Sequence, residues 1–121
     1  MSSLDHIGLY VTDLKRTIEF YKQLFNFPLK NSFELGEAKI GLMEITGALL
    51  EFIQRPGSPG SPPEGNWTHL AFYVPDFDDK ISILDEMNIE KRLVTMEDGA
   101  RLCFFKDPDG HTVELMEKGF S

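Results

Sequence analysis

Apolar and polar positions alternate at the start of the chain. In LDHIGLYV, residues 4–11, Ile7, Leu9 and Val11 share one face, and His6, Gly8 and Tyr10 share the other. That is the two-residue period of a strand. The period then changes. Leu14, Ile18, Tyr21 and Phe25 recur at helical spacing after Thr12-Asp13, a pair that suits a helix start. Asn26 stands where the pattern stops, and asparagine tolerates the left-handed backbone of a helix end. Three short strands are predicted next, near 30–36, 39–45 and 48–54, with Gly36 and Thr46-Gly47 in the turns.

The same order recurs. WTHLAFYV, residues 67–74, predicts a strand carrying His69, Ala71 and Tyr73 on one face. Pro75-Asp76 follows, then Phe77, Ile81, Leu84 and Met87 at helical spacing, then Asn88. Strands are predicted near 91–96, 100–106 and 112–118. Gly99 and Asp107-Pro108-Asp109-Gly110 supply the turns. A shift of 63 residues lays the chain on itself from residue 4 to 55 without a gap. Nine positions are then identical: His6/His69, Tyr10/Tyr73, Val11/Val74, Asp13/Asp76, Ile18/Ile81, Glu34/Glu97, Gly36/Gly99, Gly47/Gly110 and Glu51/Glu114. Unrelated segments of that length give roughly three.

The fold class expected is α+β, one domain over residues 1–121 made of two tandem βαβββ units. The first unit covers about 4–54 and the second about 66–118. Between them RPGSPGSPPEG, residues 55–65, has four Pro and three Gly, which excludes regular structure and reads as a linker.

Composition narrows the function classes. The chain has 121 residues, 41% apolar, enough for a real core. Its formal charge of −8 argues against a nucleic-acid partner. No apolar run reaches the roughly 20 residues of a membrane span, and MSSLDHIG lacks the features of a signal peptide. A single cysteine, Cys103, forbids an internal disulfide. A cytoplasmic protein with a small-molecule substrate is the expectation.

The repeated strands carry the candidate chemistry. Glu51 and Glu114 each follow their histidine by 45 residues. If each unit curls its sheet into a half-cup, first and last strands bring one His and one Glu to one patch, and two units supply two of each. Lone glutamates on strands usually face solvent, but these are the ones the repeat retains. Two imidazoles and two carboxylates suit Zn²⁺, Ni²⁺, Co²⁺, Mn²⁺ or Fe²⁺. His111 reads as a turn residue. Trp67, Phe33 and Phe105 are core or pocket-wall residues, and Arg55, Arg101 and Lys39 are surface cations or anion holders.

DHIGLYVTDLKRTIEFYKQLF, THLAFYVPDF and FKDPDGHTVELME together resemble the vicinal oxygen chelate superfamily, and within it the small glyoxalase I-like proteins, over nearly the whole chain. The resemblance implies paired βαβββ units forming a cup-shaped mixed sheet with outer helices. It implies one divalent metal (Ni, Zn, Co or Mn) on His6, Glu51, His69 and Glu114. The His-Glu-His-Glu set is the pattern of lactoylglutathione lyase. The implied activity is isomerisation of a 2-oxoaldehyde–thiol hemithioacetal through an enediolate, with Glu114 as base, Glu51 as its counterpart, and glutathione or another thiol as cosubstrate. Two positions depart from that enzyme: Tyr10 stands for its glutathione-anchoring Arg, and Arg55 for its Asn. The alternatives are a metal-dependent epimerase or thiol transferase of the superfamily, or a non-catalytic antibiotic- or metabolite-binding protein like the bleomycin-binding members. A homodimer is expected, because pairing covers open sheet edges.

Overall fold

The computed structural model describes residues 2–57 and 68–120. It divides into two compact units, Met1–Gly60 and Ser61–Ser121, each folded around its own four-stranded sheet. Residues 58–65 of the expected linker, and Trp67, lie outside the described residues.

The first unit contains β1 (His6–Val11), α1 (Leu14–Phe25), β2 (Leu29–Leu35), β3 (Ala38–Ile45) and β4 (Ala48–Gln54). The strand order is β1-β4-β3-β2, so the last strand lies beside the first. The β1–β4 pair is parallel and the other two pairs are antiparallel. A parallel neighbour needs a long crossover, and here α1 with the β2–β3 hairpin supplies it. The second unit repeats this with β5 (His69–Tyr73), α2 (Phe77–Glu86), β6 (Lys91–Thr95), β7 (Arg101–Lys106) and β8 (Thr112–Met116), in the order β5-β8-β7-β6.

The first strand begins at His6 rather than at residue 4, and its counterpart in unit 2 begins at His69. A single main-chain bond, from Leu49 N–H to the Asp5 carbonyl at 3.0 Å, extends the ladder before β1. At the other end β8 stops at Met116, two residues short of the expectation, where Glu117 turns its amide to the Arg101 carbonyl.

Asparagine follows both helices as expected: Asn26 (φ 59°) is the C-cap of α1, Asn88 (φ 57°) comes directly after the Met87 cap of α2, and both occupy the left-handed region. Their starts differ. Asp13 caps α1 by accepting from the Arg16 amide at 3.2 Å, while the Leu14 amide donates to Gln54 Oε1 at 2.8 Å, tying the helix to the end of β4. Asp76 makes no such cap and instead pairs with Lys80 at 3.3 Å. Asp78 and Asp79 in the first turn of α2 favour the positive end of its dipole.

In unit 1 the core lies between α1 and the sheet. Leu14, Thr17, Phe20, Tyr21 and Leu24 bury one helix face, against Val11, Met43, Leu50 and Phe52. The Tyr21 and Phe52 rings stack at 5.0 Å between centroids. Burial of a side chain such as Phe52 contributes about 2–3 kcal/mol. The helix comes so close to β3 that a methyl on Gly41 would sit 2.9 Å from Ile18 Cδ1 and 3.1 Å from Leu14 Cδ1. In unit 2, Val74, Phe77, Leu84, Cys103, Phe105, Val113, Leu115 and Met116 are the buried apolar residues among those described. Arg101 fastens β7 to α2 and to the end of β8. Its guanidinium lies 4.8 Å from the Phe77 ring, 2.9 Å from Asp78 and 2.6 Å from Glu117.

Candidate metal-ligating pairs

The parallel ladders explain the 45-residue spacing of His and Glu. In unit 1 His6 faces Leu49 and Gly8 faces Glu51, an offset of 43. In unit 2 His69 faces Thr112 and Ala71 faces Glu114, again an offset of 43. Side chains two residues apart on a strand share a face. Each glutamate therefore lies two positions along from the residue opposite its histidine, on the histidine's own face.

The functional atoms meet accordingly. His6 Nε2 is 3.7 Å from Glu51 Oε1, and His69 Nε2 is 3.1 Å from Glu114 Oε1. Two donors each about 2.1 Å from one ion, at right angles, lie roughly 3 Å apart. Both pairs have the chemistry of metal ligands; the His69–Glu114 separation matches that spacing, and the His6–Glu51 separation is wider. Within either unit the described residues bring no group of three or more His, Cys, Asp and Glu together for a metal. Each unit supplies one pair of the four donors expected from the sequence.

The environment of each pair is graded. Glu114 is buried, with its side chain 7% exposed, whereas the two histidines are nearly half exposed. A buried carboxylate on an alternating strand departs from the solvent-facing norm. Gly8 and Ala71, the small residues opposite the glutamates, make room for them. A methyl on Gly8 would stand 3.2 Å from Glu51 Oε1.

His6 has a second carboxylate neighbour. Its Nδ1 is 2.8 Å from Asp5 Oδ2, and since a carboxylate only accepts, Nδ1 carries the hydrogen. The hydrogen bond His6 donates to Asp5, and then the charge of Glu51, raise the His6 pKa above its ordinary value.

Unit 2 also holds a concavity of about 760 Å³ next to its pair. His69 and Glu114 lie in its wall, with apolar surface from Ile89, Phe104 and Phe105. Arg92 and Lys106 line it as well. The Arg92 guanidinium lies 5.0 Å from the Phe104 ring centre, and Lys106 Nζ donates to Thr112 Oγ1 at 2.5 Å.

Other sequence candidates sort by position. Phe105 is buried and also lines the concavity, whereas Phe33 lies on β2, whose residues are all exposed. Arg101 is occupied by Asp78 and Glu117, which leaves it a structural cation. Its hydrogen bonds hold the Glu117 carboxyl below the usual range. Lys39 and Arg55 are exposed. His111 belongs to the turn, where its amide and that of Asp109 both donate to the buried Asp107 Oδ1 at 2.9 Å. Burial pushes the Cys103 thiol up to about 11, so it is no nucleophile near neutrality. Arg92, Lys106 and Phe104 escaped the sequence reading. Lys-Arg after a helix-ending Asn is an ordinary surface pattern, and only the fold brings Arg92 to the wall of the concavity.

Known proteins fit this architecture. The family model described as Glyoxalase/Bleomycin resistance protein/Dioxygenase superfamily matches residues 3–115. A probable lactoylglutathione lyase of Vibrio cholerae is 31% identical, over 93% of this chain and 88% of its own length. The glutathione transferase FosA of Serratia marcescens is 30% identical, over 95% of this chain and 80% of its own. Among solved structures, a variant of the fosfomycin resistance protein FosX from Listeria monocytogenes, complexed with Mn(II) and 1S,2S-dihydroxypropylphosphonic acid, superposes with a TM-score of 0.82. It is 26% identical and the match covers 99% of this chain and 93% of that one. With two βαβββ units carrying the same His–Glu register, and a family model spanning both, this chain belongs to the Glyoxalase/Bleomycin resistance protein/Dioxygenase superfamily.

Proposed function

We propose that the protein is a metal-dependent, glyoxalase I-like lyase that isomerises the hemithioacetal of a 2-oxoaldehyde and a thiol. The observation that carries this reading is the recurrence of a His–Glu contact built by one register in both units. His6, Glu51, His69 and Glu114 would hold one divalent ion, Ni, Zn, Co or Mn. A protein that only sequesters a small molecule has no need of two carboxylates in the donor set.

An ion held there would supply Lewis-acid chemistry, polarising the substrate's adjacent oxygens and offsetting the negative charge that develops as a neighbouring C–H is ionised. The chain supplies the proton chemistry. Glu114 takes the proton from the carbon bearing sulfur and returns it to the adjacent carbon, so R–CO–CH(OH)–SR becomes R–CH(OH)–CO–SR with no net oxidation. Glu51 is its counterpart in the other pair. Burial of Glu114 keeps bulk water from that proton. Arg92 and Lys106, in the concavity beside Glu114, suit a substrate bearing a carboxylate or similar anionic group. They would do the work of the missing Arg and Asn anchors, with glutathione or another thiol in the cosubstrate role. We place the active form as a cytoplasmic homodimer.

A second reading rests on the same cations. FosX was crystallised with Mn(II) and a phosphonic acid, and a small anionic substrate opened by a thiol or water would use Arg92 and Lys106 equally well. An epimerase would share the donor set too.

The test is metal analysis of protein purified without added metal, followed by assay with methylglyoxal and glutathione, then other thiols, then fosfomycin. A bound divalent ion with turnover of the hemithioacetal is the expected result. Absence of any bound ion would leave a binding protein, and turnover of fosfomycin alone would favour the second reading.

A further inference from the structure

We infer that Asp5 is a positioning residue for the ligand His6, holding its imidazole in the tautomer and orientation that a metal requires. This rests on the metal reading of the His–Glu pairs. Three observations carry it. Asp5 Oδ2 lies 2.8 Å from His6 Nδ1, which fixes the ring hydrogen on that nitrogen. Nε2 is then the lone-pair nitrogen of the neutral ring, and Nε2 is the atom turned to Glu51, 3.7 Å from Oε1. In that state two acceptors face each other, an arrangement that favours a cation or a proton between them. Finally, the Asp5 main chain is not loose. Its carbonyl accepts the Leu49 amide at 3.0 Å, so the carboxylate is presented from backbone already joined to β4.

The consequence of losing Asp5 is specific. Without that acceptor the ring hydrogen is free to move to Nε2 and donate to Glu51, on the side where the metal must enter. A carboxylate behind the imidazole also strengthens the ring as a donor. The repeat does not copy this device: the residue before His69 is Thr68, which has no carboxylate.

The experiment compares the wild-type chain with Asp5→Ala and Asp5→Asn. Mn²⁺ alone is titrated and free ion read by electron paramagnetic resonance. The His6 ring nitrogens are read by ¹⁵N NMR in the metal-free proteins. Asp5→Ala is expected to weaken Mn²⁺ binding by about 10- to 100-fold and to move ring hydrogen from Nδ1 toward Nε2. Asp5→Asn keeps an acceptor oxygen, so it is expected to retain the Nδ1–H tautomer and lose less affinity. Wild-type affinity in Asp5→Ala, or equal losses in both variants with no tautomer change, would overturn the proposal and leave the metal reading standing. A wild-type chain that binds no Mn²⁺, Zn²⁺ or Ni²⁺ overturns both.

Discussion

Gly8 lies directly opposite Glu51 in the parallel β1–β4 pair, and the Glu51 carboxylate occupies the space a side chain at Gly8 would need. The added methyl of Gly8→Ala would stand 3.2 Å from Oε1, and Glu51 must move aside. Donors have to be held within about 0.5 Å of their working position. We expect Gly8→Ala to lower Mn²⁺ affinity on the order of tenfold with little change in melting temperature. Ala71→Gly, at the matching place in unit 2, should leave affinity close to wild type. Equilibrium titration of both variants checks this, and unaltered binding in Gly8→Ala would show that Glu51 is not a ligand.

Glu114→Gln keeps the shape of the buried side chain but removes the carboxylate proposed as the base. Turnover of the hemithioacetal should fall by about 10²- to 10⁴-fold while much of the metal stays bound. Substitution of His69 by alanine should act the other way round, emptying the metal before any catalytic step can be judged. Metal content and kcat, measured on the same preparations, separate the two. A fully active Glu114→Gln enzyme would assign the base elsewhere.

Metal binding should weaken as pH falls, beginning above pH 6.5. An imidazolium cannot ligate, and Asp5, followed by Glu51, holds the His6 proton on to higher pH than usual. Below that raised pKa, affinity should drop by about tenfold per pH unit for this one proton. The stability of the metal-free chain responds in the opposite sense. His6 has a folded-state pKa above its unfolded value, so its contribution is complete below the unfolded pKa and is lost as pH rises through the folded one. The metal dependence is followed by Mn²⁺ titration of the wild-type chain, and replacing His6 with Ala should flatten the stability dependence in thermal melts of the metal-free chain between about pH 5 and pH 8.

Gly41→Ala tests the seat of α1. The new methyl would press on Ile18 and Leu14 at 2.9 and 3.1 Å in a packed core. A loss of about 1–3 kcal/mol in urea unfolding is expected from such overpacking. A variant as stable as wild type would mean that the Ile18 and Leu14 side-chain ends turn aside to admit the methyl.

Much of this arrangement was legible in the residues. Alternation in LDHIGLYV and WTHLAFYV placed His, small residue and Tyr on one face, and the observed exposure of His6, Gly8 and Tyr10 follows it. Asn26 and Asn88 marked where both helices stop because few other residues adopt positive φ without strain. Thr17, Phe20 and Leu24 were missed as buried positions, since the helical stripe is wider than the four residues that first reveal its period. Arg101 illustrates another limit. Its three partners, Phe77, Asp78 and Glu117, come from two distant stretches of chain, and no local pattern announces such a junction. The cavity cations were invisible for the same reason.

The shared offset of 43 between first and last strands makes the donor atoms sensitive to chain length in one place and indifferent in another. A single residue inserted within β4 or β8 before its glutamate would throw the carboxylate onto the opposite side of the sheet, and two inserted residues would carry it roughly 7 Å along the strand. Extra residues at the Gly36, Gly47 or Gly99 turns would leave both contacts where they are. Natural variants and designed fusions of this protein should therefore grow or shrink at its hairpin tips.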